Sequence, residues 1–267
     1  MGLLAGKTAL VTGIANRNSI AYGIAKAFKR EGANLILTYA NEKIGKKIEP
    51  IAEELGAIAS IEMDVSSDEA MDRAFEEIAK YTDGLDIVVH SIAFAPVEEF
   101  KRPTLYTSRE GFKTAMDISV YSLIALAQRA IKLMEGREGS FLTLSYYGAE
   151  KVVPHYNVMG IAKAALESTV RYLAFDLGKM GHRINAISAG PVKTLAARAI
   201  SGFHLLMKHT MEVSPLGRGI DIEDVGNAAV FLCSDWARNI TGEVLHVDAG
   251  YHVMGVMDKE DNIEKAE

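Results

Sequence analysis

The sequence predicts one α/β domain, a doubly wound parallel sheet of about seven strands with helices on both faces. Three observations carry this expectation. Short apolar or β-branched runs alternate with helical stretches along the chain, the pattern of a parallel sheet whose crossovers are helices. A glycine-bearing turn joins the first apolar run to the first helical one. The residues with chemical potential then fall at the carboxyl ends of the expected strands, where sheets of this kind bind ligands.

The first strand is expected at residues 8–11, inside the β-favouring run Lys7-Thr-Ala-Leu-Val-Thr12. Gly13-Ile-Ala-Asn-Arg-Asn-Ser19-Ile-Ala-Tyr-Gly23 follows as a turn, and Ile24-Ala-Lys-Ala-Phe-Lys-Arg-Glu31 reads as a helix. Backbone N–H groups and the helix dipole at such a turn suit a pyrophosphate. The spacing departs from the usual three-glycine fingerprint, because Ser19 stands between Gly13 and Gly23. A hydroxyl there could donate to phosphate where a glycine would allow close approach, and a purely structural turn is the competing reading.

Further strands are expected at 34–38, 58–63, 87–90, 140–144, 183–187 and 244–247. They place Tyr39, Asp64, Ser91, Tyr146 and Gly190 at the ends of the second to sixth strands. Asp64 also reads as a helix cap, with Ser66 and Ser67 as rivals. Long helices are expected at 109–134 and 156–178. Domain bounds are set at 1–257, and the charged residues 258–267 read as a disordered tail.

Composition narrows the function classes. The 267 residues are 49% apolar and 24% charged, ordinary for a globular enzyme with a substantial core. The longest apolar run, Ile118-Ser-Val-Tyr-Ser-Leu-Ile-Ala-Leu-Ala127, is too short for a membrane span. No secretory signal pattern opens the sequence, so a soluble cytoplasmic protein is expected. Cys233 is the only cysteine, which excludes an internal disulfide and a cysteine metal cluster. A formal charge of −6 argues against nucleic acid as a partner.

The most informative segment is Ser145-Tyr-Tyr-Gly-Ala-Glu-Lys-Val-Val-Pro-His-Tyr156-Asn-Val-Met-Gly-Ile-Ala-Lys163. On a helix, Tyr156 and Lys163 would lie on nearly one face, about 10 Å apart along the axis. A phenol offers a proton and an ammonium a fixed positive charge, which suits a reaction that builds negative charge on a substrate oxygen. The bland alternative is a packed tyrosine beside a surface lysine.

Gly13…Ser19-Ile-Ala-Tyr-Gly23, Asp64-Val65, His90-Ser-Ile-Ala-Phe-Ala-Pro96, Tyr146, Tyr156…Lys163 and Ser188-Ala-Gly-Pro-Val-Lys-Thr194 together resemble the bacterial NADH-dependent enoyl-acyl-carrier-protein reductases. These form a divergent branch of the short-chain dehydrogenase/reductase superfamily, and the resemblance runs from Gly2 to about Gly255. It implies a Rossmann-like fold and the last step of fatty acid elongation, reduction of the trans-2 double bond of enoyl-acyl-carrier-protein with NADH. It implies that Tyr156 hydrogen-bonds or protonates the enolate oxygen, that Lys163 holds the nicotinamide ribose, and that Tyr146 lines the pocket and assists. The implied cofactor residues are Gly13, Ala15, Ser19, Ile20, Asp64, Val65, Ser91, Ile92, Ala93 and Lys163, with Gly190, Pro191, Val192, Lys193, Thr194, Leu195 and Ala196 wrapping the nicotinamide and pyrophosphate. The implied substrate contacts are Ala95, Tyr146, Tyr156, Met159, Ala196, Ile200 and Phe203. No metal is implied, and a homotetramer built on the two long helices is. Tyr146 also reads as a strand-end tyrosine packed on the sheet.

Several features separate this reading from its rivals. Carbonyl-reducing relatives carry Tyr-x-x-x-Lys, and the string occurs twice, at Tyr39–Lys43 and Tyr147–Lys151. The first lies where the adenosine half of a dinucleotide should bind, and the second precedes Pro154, which disfavours a helix continuous with Lys163. In conjugate reduction the charge forms two carbons from the hydride acceptor, which suits the longer Tyr156–Lys163 spacing. A non-catalytic dinucleotide sensor is the rival from another class. Thr38-Tyr39-Ala40-Asn41 holds no base for a 2′-phosphate, so NADH is expected over NADPH. Residues 195–207 read as a lid over an acyl pocket or as a core helix, with Arg198, Lys208, His204 and His209 as candidates for docking an acidic carrier.

Overall fold

The computed structural model describes residues 2–194 and 202–256. Seven strands form one sheet: β1 (Thr8–Val11), β2 (Asn34–Tyr39), β3 (Ala59–Glu62), β4 (Ile87–His90), β5 (Ser140–Ser145), β6 (Arg183–Ala189) and β7 (Val244–Val247). They hydrogen-bond in the order β3-β2-β1-β4-β5-β6-β7, every neighbour pair parallel. The expected strands are therefore present, with ends displaced by one or two residues. Val11 pairs with Leu37 of β2 on one side and Val89 of β4 on the other. The chain order reverses at β1, so a crevice opens beyond its carboxyl end, between β1 and β4.

Alternation along the strands decides which residues serve which face. Leu10, Ile36, Val88, Phe141 and Ile184 face one side, packed by helices α3 (Asp68–Ile78), α6 (Ser122–Ala130) and α7 (Asn157–Gly178). Their strand neighbours Val11, Leu37, Val89, Leu142 and Ile187 face the other, under α1 (Ile20–Arg30), α2 (Glu42–Leu55) and α9 (Ile222–Cys233). Two cores on one sheet account for the high apolar fraction of the strands. The remaining described α-helices are α4 (Val97–Lys101), α5 (Arg109–Met116) and α8 (Phe203–Val213).

Three expectations are corrected. The first helix begins at Ile20, so Gly23 is not part of the turn; it lies within α1 and packs on Ile222 of α9. The predicted 109–134 helix is broken into α5, a π-type turn at Asp117–Tyr121, α6 and a short 3-10 turn at Ile131–Leu133. The wide turn carries Ser119, whose hydroxyl exchanges hydrogen bonds with the backbone of Phe94; tertiary partners have replaced a regular helical turn. The third correction is that α7 starts at Asn157, leaving Tyr156 at its cap. No helix among the described residues is long and apolar enough to cross a membrane.

Candidate active site

The turn after β1 is shaped for a close approach. Thr12 donates its N–H and its hydroxyl to Val89 O (3.0 and 2.9 Å) and accepts from Ser91 N–H, tying the turn to the end of β4. Gly13 follows at φ +83°, and a Cβ there would lie 1.9 Å from Ser91 O, so only glycine fits. Ser19 takes the N-cap position of α1, and its Oγ accepts from the N–H groups of Ala15 and Asn16, both at 3.1 Å. Its own proton remains for an acceptor above the helix. The N–H groups of Ala15 and Asn16 are thereby turned inward, leaving the first turn of α1, from Ile20, as the anion-facing end. Arg17, the one base in this turn, is paired with Glu54 of α2 at 2.6 Å.

The next two strand ends complete one wall. Asp64 is exposed and accepts from both the N–H and the hydroxyl of Ser66 (2.9 and 2.7 Å), while Ser67 caps α3 through Ala70 N–H. The cap therefore belongs to Ser67, and Asp64 stands free of that duty beside half-buried Val65. Beyond β4, Ser91 and Ile92 are half-buried, Ala93 is exposed and Ala95 is buried.

Tyr146 and Tyr156 meet where β5 leads to α7. Their rings are edge to face, with centroids 4.9 Å apart and planes at 74°. Gly148 makes room for this: a Cβ there would lie 2.5 Å from Tyr156 Cδ1. Burial holds both phenols above their ordinary pKa, with a smaller contribution at Tyr156 from Tyr146. Both neighbours of Tyr156 adopt left-handed backbone, His155 at φ 67° and Asn157 at φ 41°. The Asn157 amide donates to Phe100 O and Arg102 O, stitching the start of α7 to the carboxyl end of α4. About two turns beyond Tyr156 along α7, Lys163 is only 6% exposed and donates from Nζ to Leu144 O at 2.6 Å. Burial pushes this ammonium down to about 8, and the charge of Glu167 works against that shift. Met159, on the same helix, is buried against Ser119.

The two decoy strings lie elsewhere. Tyr39 lies against Gly45 of α2, and Lys151 is exposed while Tyr147 stacks edgewise on Tyr251.

Behind the site, His90 occupies a fully buried network that no spacing in the sequence singles out. Ser122 gives its proton to Ile118 O at 2.6 Å, so the 2.8 Å contact with His90 requires Nε2–H to be the donor. Thr143 meets Nδ1 at 2.9 Å. Burial first and the charge of Lys163 second lower this imidazole from 6.5 to about 3. Below pH 6.5 an unfolded chain gains a proton that the folded one refuses. This contribution is therefore complete above 6.5 and is lost as pH falls toward 3, by about 1.4 kcal/mol per pH unit. Urea unfolding at pH 6.5 and pH 5 should show wild type losing about 2 kcal/mol more than His90→Gln over that interval; equal losses would show that His90 is not the group responsible.

At the end of β6, Gly190 and Pro191 are buried, Val192 is half-buried and Lys193 is exposed. Thr194 N–H donates to Val192 O at 2.8 Å. Leu195, Ala196, Arg198 and Ile200 lie outside the described residues. Phe203 begins α8 half-buried, and an open cavity of about 620 Å³ is lined by Lys193, His204, Met207, Lys208, Met211, Glu212 and Gly217. Lys208 pairs with Glu212 at 3.6 Å, which offsets its charge locally.

The parts fit a dinucleotide. The glycine turn and the start of α1 can take its phosphates, and Lys163 stands across the crevice. No group of three or more His, Cys, Asp or Glu among the described residues could hold a metal ion.

The chain matches the family model described as Enoyl-(Acyl carrier protein) reductase over residues 13–252. It is 66% identical to an enoyl-[acyl-carrier-protein] reductase [NADH] of Aquifex aeolicus over 99% of this chain and 98% of that protein. The crystal structure of that Aquifex aeolicus reductase superposes with a TM-score of 0.94, covering 96% of this chain and all of the other. A reductase from Anaplasma phagocytophilum, solved in complex with NAD, is 50% identical with a TM-score of 0.93, covering 96% of this chain and 98% of that one.

Proposed function

The chain belongs to the enoyl-(acyl carrier protein) reductase family, and with that as premise we propose how its own residues carry out the family's reaction. Its activity is reduction of enoyl-[acyl-carrier-protein] with NADH, a step of fatty acid biosynthesis. The observation that carries the residue assignment is the meeting of two protonated phenols, Tyr146 and Tyr156, with a buried ammonium on the helix that Tyr156 caps.

Bound NADH supplies the hydride that the β-carbon of the enoyl thioester accepts. Negative charge then builds on the thioester oxygen. Tyr156, kept protonated by burial, is a donor and not a base, and it hydrogen-bonds that oxygen as the enolate forms. Proton uptake at the α-carbon completes the saturated thioester. Lys163 uses one N–H on Leu144 O, which leaves two N–H donors that would hold the nicotinamide ribose hydroxyls, while its charge would favour the enolate. Tyr146 sets the Tyr156 ring by edge contact and walls the acyl pocket. Gly13, Ser19 and Ile20 would cradle phosphate, Asp64 and Val65 would meet adenine, Ser91, Ile92 and Ala93 would follow the cofactor, and residues 190–196 are assigned to its nicotinamide and pyrophosphate. Ala95, Met159, Ile200 and Phe203 contact the acyl group.

The test is spectrophotometric. The protein should oxidise NADH in the presence of a crotonyl thioester and leave simple ketones unreduced. Ketone turnover at a comparable rate would favour a carbonyl reductase. NADPH should be the poorer donor, since Arg17 is held by Glu54 and no base follows β2 before Glu42.

We also propose a homotetramer working in the cytoplasm, where the acyl carrier and reduced dinucleotide meet it. Of the apolar residues on the first of the two long segments, Val120, Leu123 and Leu126 are buried in the chain's own core and Ile124 is half-buried. Other apolar side chains on the same two segments stay exposed: Phe112 and Tyr121 on the first, Ile161, Tyr172 and Phe175 on α7. Uncovered aromatic surface of this kind favours a partner helix face. Sedimentation should give a tetramer at micromolar concentration; a monomer would contradict the assembly.

A further inference from the structure

Glu167 is a buried carboxylate that the reduction as described leaves unused. It follows Lys163 by four residues on α7, so the two side chains share one helix face a turn apart. Lys163 and Glu167 are 6% and 8% exposed. They grip consecutive residues at the end of β5. Lys163 Nζ donates to Leu144 O, and the Ser145 hydroxyl donates to Glu167 Oε1 in a very short hydrogen bond. Tyr146 is the next residue, so this double clasp sits directly behind the phenol pair.

We propose that Glu167 is a positioning residue for the reduction: acting through Lys163, its carboxylate keeps the ammonium charged and directed at the cofactor side of the site, while Ser145 holds the carboxylate in place. This rests on the assignment of Lys163 made above. A buried ammonium needs compensating charge. The groups around the pair are His90 on β4, which stays neutral; Glu150 beyond β5, which pairs with His246 of β7 at 2.7 Å; and Arg171 further along α7. Of the two carboxylates, Glu150 is engaged by His246, and Glu167 is the one that lies one turn from Lys163 on the same helix. Burial raises the pKa of Glu167, and the Ser145 hydrogen bond opposes that rise.

The experiment measures kcat and the Michaelis constant for NADH from pH 6 to pH 9.5 with one enoyl thioester, in full-length wild type, Glu167→Gln, Ser145→Ala and Lys163→Ala. Glu167→Gln keeps the shape and an acceptor for Ser145 while removing the charge. The alkaline limb of kcat/KM should move about one pH unit lower, so the loss grows from slight at pH 6 to about tenfold above the limb. Ser145→Ala gives a second reading if Glu167→Gln fails to fold, and its limb should move in the same direction. A loss of one constant factor at every pH marks a merely structural role and overturns the proposal. A limb that is unmoved, or absent from wild type, overturns it as well. Wild-type activity and NADH affinity in Lys163→Ala would instead overturn the assignment on which the proposal rests.

Discussion

Replacing Lys163 by alanine should weaken NADH binding by about 10- to 100-fold and lower turnover together with it. The first figure follows from the loss of charge-assisted hydrogen bonds, each about 1.5–3 kcal/mol. The fall in turnover follows from removing a buried positive charge that favours the enolate, an effect of roughly 10²-fold or more. The substitution also leaves Leu144 O without its 2.6 Å donor, so folding should be checked by circular dichroism. Fluorescence titration of NADH and steady-state kinetics read the two effects. Unchanged NADH affinity with lowered turnover would move Lys163 from cofactor binding to charge stabilisation alone.

Tyr156→Phe should separate those effects. The ring, its edge contact with Tyr146 and the cap position of α7 are retained, and only the proton donor is lost. Turnover should fall roughly 10²–10⁴-fold, the usual contribution of a positioned general acid, with NADH affinity unchanged. Full activity in Tyr156→Phe would transfer the principal role to Tyr146, whose phenol is held above its ordinary pKa in the same way.

Much of this site is legible in the amino-acid sequence because it lies at strand ends. Gly13, Asp64, Ser91, Tyr146 and Gly190 each follow a strand that local periodicity identifies, and parallel topology gathers those ends onto one edge. The Tyr156–Lys163 spacing is legible for a similar reason, since helical periodicity relates nearby positions. Glu167 is within reach of the same argument, four residues on, but its significance depends on Ser145, 22 residues earlier in the chain. The break in the expected 109–134 helix is not legible in this way. Apolar periodicity continues through residues 117–121, while the turn there answers to Phe94 across the fold.

The seven alternating strands, the glycine turn and the helix that carries Lys163 can be read from the amino-acid order, because each rests on interactions among residues close along the chain. Packing across the fold is what brings Tyr146 edge to face with Tyr156, Lys163 onto Leu144 O and Arg17 onto Glu54, and what makes His90 a neutral buried donor. Those contacts join residues separated by loops and crossovers. Their geometry depends on register and helix placement across the whole sheet, and the burial that sets each charge exists only once both faces are packed.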